Sequence, residues 1–175
     1  YGTKLGAVVT KLQELRATDA TAKVILFVQF DDLKRKVAGA LMEFGVPAAQ
    51  LQGCQAQRAA IIRDWQLNPS SSVFVLLLSL EQSASGTNLT AASHVVFLHP
   101  MLAPTPEQAI GHELQAIGRA RRQGQRRDTV HVWRFVTSGT VEQMITERHQ
   151  SALREREQAA DARRTKNRQA QAAGS

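Results

Sequence analysis

The chain predicts one α/β domain of three layers, with helices covering both faces of a mostly parallel sheet. Three observations predict it. Short apolar runs alternate with amphipathic segments along the chain, the order that builds parallel sheets through helical crossovers. The runs Val24–Val28, Val73–Leu78 and His94–Leu98 are apolar along most of their length rather than at every second position, as strands covered on both faces are. A hydrophobic content of 43% over 175 residues is enough for the core of one ordinary domain.

The elements follow in order. Leu5, Val8, Val9, Leu12 and Leu15 recur at helical spacing, predicting an amphipathic helix over residues 3–16 with Thr3 at its N-cap. The β-branched run Val24–Val28 is a buried strand. Asp31 or Asp32 caps the next helix, which carries Leu33, Val37, Leu41 and Phe44 and stops at Gly45 and Pro47. A short strand follows over residues 48–51, then a helix over residues 57–66 with Ile61, Ile62 and Trp65, and a turn through Asn68-Pro69. The strand Val73–Leu78 leads into a Ser/Gly loop running to Asn88. The strand His94–Leu98 ends at Pro100, and Pro104 and Pro106 precede a helix over residues 107–122. Residues 129–135 alternate toward a strand. A helix over residues 140–157 follows, and beyond Arg163 the Arg, Gln, Ala and Gly content reads as a basic tail that frays. In parallel sheets of this kind, function gathers at the carboxyl ends of the strands, here Gln29-Phe30, Gly53, residues 79–88 and His99 onward.

The net charge of +7 favours a polyanionic partner over a plain solubilising surface. The charge is uneven: residues 101–175 hold thirteen Lys/Arg against eight Asp/Glu. A single cysteine, Cys54, allows neither an internal disulfide nor a cysteine zinc cluster. No apolar run is long enough to span a membrane. The chain opens on Tyr1 without Met, which reads as a piece of something larger. Gln108-Ala-Ile-Gly111 recurs as Gln115-Ala-Ile-Gly118, either a small tandem insertion or chance similarity in an Ala/Gln-rich helix. The five histidines show no ligand spacing.

The segment Gln115 to Gln125 sets Arg119 and Arg122 three residues apart, about one helical turn. A guanidinium fork suits phosphate oxygens. The residues themselves leave three readings open: arginine fingers for a nucleotide, clamps for a nucleic-acid backbone, or a solvated helix end. No Walker A loop, Gly-x-x-x-x-Gly-Lys-Ser/Thr, occurs. A nucleotide would therefore have to be held mainly elsewhere.

Five segments stand in order: Lys23 to Phe30, Leu51-Gln-Gly53 with Arg58, Ser85 to Ala92, Gln115 to Gln125, and Thr140-Val-Glu142. Together they resemble the C-terminal motor lobe of the Swi/Snf-type helicase-like ATPases of helicase superfamily two. The run His112 to Gly118 and the Met101-Leu102 region further resemble the branch with a RING finger between its motor lobes. The resemblance implies a RecA-like lobe over residues 1–149 and a basic tail over 150–175. It implies the second lobe of an ATP-dependent DNA translocase in the nucleus, serving chromatin remodelling or DNA repair. ATP and Mg2+ would be held mainly by a first RecA-like lobe absent from this chain. Arg119 and Arg122 would act as fingers on the γ-phosphate. Gln115, Gly118 and Gly86 would support the nucleotide site, and Gln29, Arg58, Asn88 and Thr90 would contact duplex DNA. Nucleosomes or the ubiquitin machinery are implied partners. The chain alone would be inactive. Departures lie at Ser83-Ala-Ser85 and Thr87, where the family has glycines and an apolar residue. Others are His99 where an acidic residue is usual, and Arg121 and Gln123. The altered loop keeps one alternative in view, a lobe that only binds protein or DNA; a second is an RNA helicase lobe of the same superfamily, since no strand-separation element can be read from the chain.

Overall fold

The computed structural model describes residues 2–68, 70–79 and 88–173. Helix α1 spans Thr3–Thr18, strand β1 Val24–Phe27, helix α2 Asp31–Glu43, strand β2 Ala48–Gln50 and helix α3 Gln55–Leu67. Strand β3 spans Val75–Leu78, β4 His94–Phe97, helix α4 Pro106–Ala120, β5 His131–Arg134 and helix α5 Val141–Ala173. The strands form one sheet in the order β2-β3-β1-β4-β5, every pairing parallel. The apolar run of β1 lies at its centre. Val24 is in register with Val75 on one side and His94 on the other.

Because strand side chains alternate, each central strand serves two cores at once. Val24, Leu26, Val75, Leu77 and Val96 face α1 and α2, meeting Val8, Leu12, Val37 and Leu41. Ile25, Phe27, Leu76, Leu78, Val95 and Phe97 face α3 and α4, meeting Ile62, Trp65, Ala109, Ala116 and Ala120. This explains why β1, β3 and β4 are apolar throughout, and it is the three-layer arrangement expected. Phe27 and Phe97 stack across adjacent strands with ring centroids 5.4 Å apart. The first and last helices are tied by Lys4, whose Nζ donates to Glu142 Oε1 at 2.6 Å.

Several boundaries differ from the sequence expectation. Gly2, not Thr3, is the N-cap of α1, and no side chain caps it. Phe30 is the N-cap of α2, so Asp31 and Asp32 lie inside its first turn, where they complement the positive end of the helix dipole. Asp31 also pairs with the buried Lys34 at 2.8 Å. Helix α3 begins two residues earlier than expected, at Gln55, because a capping box between Cys54 and Gln57 nucleates it. Helix α4 stops at Ala120, two residues early, and α5 runs on to Ala173, since no Gly or Pro interrupts it.

Candidate functional site

Helix α4 is held at its start by Thr105, whose side chain accepts the Gln108 N–H at 3.3 Å, and by Pro106 at the first helical position. Its inner face buries Ala109, Ile110, Ala116 and Ala120. That packing carries Arg119, in the last turn, to a position only 8% exposed. Among the described residues, the Arg119 guanidinium forms neither a hydrogen bond nor an ion pair. A buried arginine is ordinarily paired. Arg119 is therefore a largely buried residue whose guanidinium donors are not engaged among the described residues.

Arg122 does not continue the helix face, as its spacing from Arg119 predicted. Arg121 is the C-cap of α4, and Arg122 lies beyond it in the turn, exposed. Its Nη1 donates to Asn88 Oδ1 at 2.8 Å. The Leu89 N–H donates to the Arg119 carbonyl at 2.9 Å. Consecutive residues of one segment thus hold the two arginines. Thr90 lies in the same segment, and Gly124, at φ +97°, faces its hydroxyl. Gly86 lies outside the described residues. Gln115 and Gly118, a turn apart on α4, are exposed. A Cβ at Gly118 would meet no atom within 4 Å, so no close packing within this lobe requires glycine there.

Gln29 and Arg58 are not part of this cluster. The segment 88–92 precedes β4, and α4 runs back against the strand direction. The arginines and Asn88 therefore gather at the amino end of the sheet, whereas Gln29 and Arg58 follow the carboxyl ends of β1 and β2. The carboxyl-end rule locates only the second group. Gln29 is engaged within the chain: its Nε2 donates to the Leu102 carbonyl and its Oε1 accepts the Leu102 N–H, both at 2.7 Å. The Gln29 N–H donates to His99 Nε2 at 3.1 Å. With Nε2 accepting, the ring proton sits on Nδ1, 3.2 Å from the Pro100 carbonyl. Burial holds the His99 pKa below the usual imidazole value, which keeps it in this neutral form. Phe30 stacks on His99 with centroids 5.8 Å apart. Arg58 is exposed, and its Nε donates to the Gly53 carbonyl at 2.8 Å. Gly53 has φ +84°, and a Cβ there would collide with the Gln57 carboxamide, so this turn requires glycine.

One residue of the site carried no role in the sequence reading. Gln125 Nε2 donates to both the Ala92 and Ala120 carbonyls, at 2.9 and 3.0 Å. Two residues on, Arg127 donates to Asp19 Oδ2 at 2.9 Å and to the Thr21 hydroxyl at 2.6 Å. The Thr21 hydroxyl and then burial act most on Asp19, the first lowering its pKa and the second raising it; the Thr21 N–H and Arg127 add to the lowering, which prevails. Beside them, Trp133 Nε1 donates to His94 Nδ1 at 3.2 Å and His94 stacks on His131. Burial, then the charge of His131, pushes the His94 pKa from 6.5 to about 4. Among the described residues, no group of three His, Cys, Asp or Glu could hold a metal ion.

The chain is 34% identical over 157 residues to the DNA (cytosine-5-)-methyltransferase DMT5 of Cryptococcus neoformans var. grubii, an alignment covering 89% of this chain and 6% of that protein. It is 33% identical over 148 residues to the human E3 ubiquitin-protein ligase SHPRH, covering 83% of this chain and 8% of the relative. The DNA repair protein RAD5 of Cryptococcus neoformans var. neoformans is 34% identical over 145 residues, covering 82% and 11%. The chain thus spans about a tenth or less of the length of these relatives. Its fold is that of the crystal structure of the C-terminal part of the Fun30 ATPase domain, with a TM-score of 0.69 at 22% identity over 82% of this chain and 44% of that one. The helicase conserved C-terminal domain matches residues 7–124. With that match over most of its ordered body, and a parallel RecA-like sheet beneath it, the chain belongs to the family of helicase conserved C-terminal domains.

Proposed function

We propose that the chain is the second motor lobe of an ATP-dependent translocase on duplex DNA, nuclear and engaged in DNA repair or chromatin remodelling. The observation that carries this reading is Arg119: a residue 8% exposed, its guanidinium without an anionic partner among the described residues, on the helix that closes the family match. A buried cation of this kind fits a phosphate oxygen. Bound at the cleft, ATP with Mg2+ supplies the phosphoryl group and the metal charge, both held mainly by the first RecA-like lobe of the same polypeptide.

The roles of this chain's residues follow. Arg119 offsets the charge that develops on the transferring group, where a preformed donor acts most strongly. Arg122 is the second finger, its fork shared with Asn88. Gln115 and Gly118 present the exposed face of α4 to the first lobe. Gly86 supports the nucleotide site, Asn88 and Thr90 meet the DNA backbone near the nucleotide, and Arg58 flanks the duplex at the other end of the sheet. Gln29 acts there through the Leu102 loop that it holds. Such contacts go to phosphates, so binding is sequence-tolerant and weakens steeply with salt. Two relatives named as a DNA repair protein and an E3 ubiquitin-protein ligase support repair and the ubiquitin machinery as the setting.

The test is DNA-stimulated ATP hydrolysis by the full-length protein. Arg119→Ala lowers turnover by about three orders of magnitude or more, and Arg122→Ala lowers it less. Unchanged hydrolysis in both variants sinks the finger reading. The chain by itself, lacking the first lobe, hydrolyses no ATP, and measurable turnover by it alone contradicts the division of labour. Stimulation by RNA in place of duplex DNA moves the protein to the RNA-helicase reading.

A further inference from the structure

Gln125 joins two parts of the site that the proposed function keeps separate. Gly124, at φ +97°, turns the chain back beneath α4. The Gln125 side chain then meets Ala120, the last residue of α4, and Ala92, two residues before β4. A carboxamide offers two N–H donors and one carbonyl acceptor. Here Nε2 serves both carbonyls, Oε1 accepts the Arg127 N–H at 3.0 Å, and the Gln125 backbone N–H donates to the Arg122 carbonyl at 3.0 Å. Every polar group of the side chain is engaged.

Two other ties run between the same parts. The Leu89 N–H holds the Arg119 carbonyl, and Arg122 holds Asn88. They differ in kind. The Leu89 tie is backbone to backbone and survives any side-chain substitution. The Arg122 tie is exposed, where water competes for both groups. The Gln125 tie is part-buried and made by a side chain, and at the helix end it adds to the Arg122 N–H, which donates to the same Ala120 carbonyl at 3.2 Å.

We infer that Gln125 is a positioning residue that fastens the last turn of α4 to segment 88–92, so that displacement of this segment on nucleic acid displaces Arg119 with it. The inference rests on the proposed roles of Arg119 at the nucleotide and of Asn88 and Thr90 at DNA. Its content is thermodynamic: a rigid tie makes nucleotide binding change DNA affinity, and DNA binding change nucleotide affinity, by the same factor.

The experiment uses the full-length protein and two substitutions. Gln125→Glu keeps the shape and the acceptor for Arg127 but removes both donors. Gln125→Met keeps the length and removes donor and acceptor together. The affinity for a duplex oligonucleotide is measured with and without a non-hydrolysable ATP analogue, alongside KM and kcat for DNA-stimulated hydrolysis and the Tm. In both variants the ratio of the two DNA affinities moves toward one by about tenfold and kcat falls, while KM for ATP and nucleotide-free DNA affinity stay within about twofold. A wild-type ratio in both variants overturns the inference, as does a ratio of one in the unsubstituted protein. So does a loss of Tm and nucleotide-free DNA affinity together in both variants, which assigns Gln125 to the fold alone. If Arg119→Ala leaves hydrolysis intact, the finger reading fails and this inference with it. If Arg119→Ala is inactive while both Gln125 variants keep the wild-type ratio, the inference fails by itself.

Discussion

At the carboxyl end of the sheet, polar groups close on one another. Gln29 occupies both polar groups of the Leu102 backbone, neutral His99 takes the Gln29 N–H, and Lys4 meets Glu142. At the amino end, Arg127 is likewise closed, on Asp19 and Thr21. Arg119, eight residues earlier and far more buried, has no such partner among the described residues. A largely buried arginine without an acceptor among the described residues contrasts with one that its own chain has paired. Burial without a partner distinguishes the two arginines; position in the basic segment does not.

The sharpest way to break this comparison is to truncate both arginines in the full-length protein. Arg119→Ala costs about a thousandfold or more in turnover, whereas Arg127→Ala leaves turnover intact and costs about 0–1 kcal/mol of stability by urea denaturation, since its ion pair is partly solvated. Equal effects on turnover dissolve the distinction. Next in size is Phe97→Ala, which removes a buried ring stacked on Phe27 and costs about 3–5 kcal/mol. This core lies between the two ends, so the loss appears as one cooperative unfolding transition. Two separate transitions would show the ends to be independent units.

Gln29→Ala strips two hydrogen bonds from the Leu102 backbone and costs about 1–3 kcal/mol in the same denaturation assay. A negligible cost would mean that the carboxyl end is not closed in the way its geometry indicates. A further effect is one of pH. His94 is bound neutral in the folded protein with its pKa near 4, against 6.5 when free. The unfolded chain therefore takes up more protons between these values, and stability falls as pH falls from about 6.5 toward 4. His94→Gln keeps an acceptor for Trp133 without titrating, so the urea midpoint becomes flatter across that window. An unaltered slope assigns the acid sensitivity to other groups.

The strands were readable because a strand buried on both faces has nowhere to place a polar side chain; Val24–Phe27 and Val75–Leu78 admit no other pattern. The end of α4 was not. No glycine stands at the position after its C-cap, and where the helix stops the Ala120 carbonyl accepts from both the Arg122 N–H and the Gln125 carboxamide. The two arginines were found by residue type and spacing, yet their shared helix face was an extrapolation of that period past the last turn. The clamp of Gln29 on Leu102 joins residues 73 apart, and no local pattern encodes it. The split of the site residues between opposite ends of the sheet escaped for a similar reason: direction along a parallel sheet emerges only once α4 is seen to run back beneath β4.

The register of β1 has a consequence for how the chain is made. Its residues lie at the centre of the sheet, but Val24 meets Val75 and His94 only after roughly 50 and 70 further residues have been added. At synthesis rates of about 5–20 residues per second, this wholly apolar strand leaves the ribosome several seconds before either neighbour exists. During that interval Val24-Ile-Leu-Phe27 has α1 and α2 to pack on one face but neither strand neighbour, so a nascent chain that pauses before β3 exposes this segment to chaperone capture.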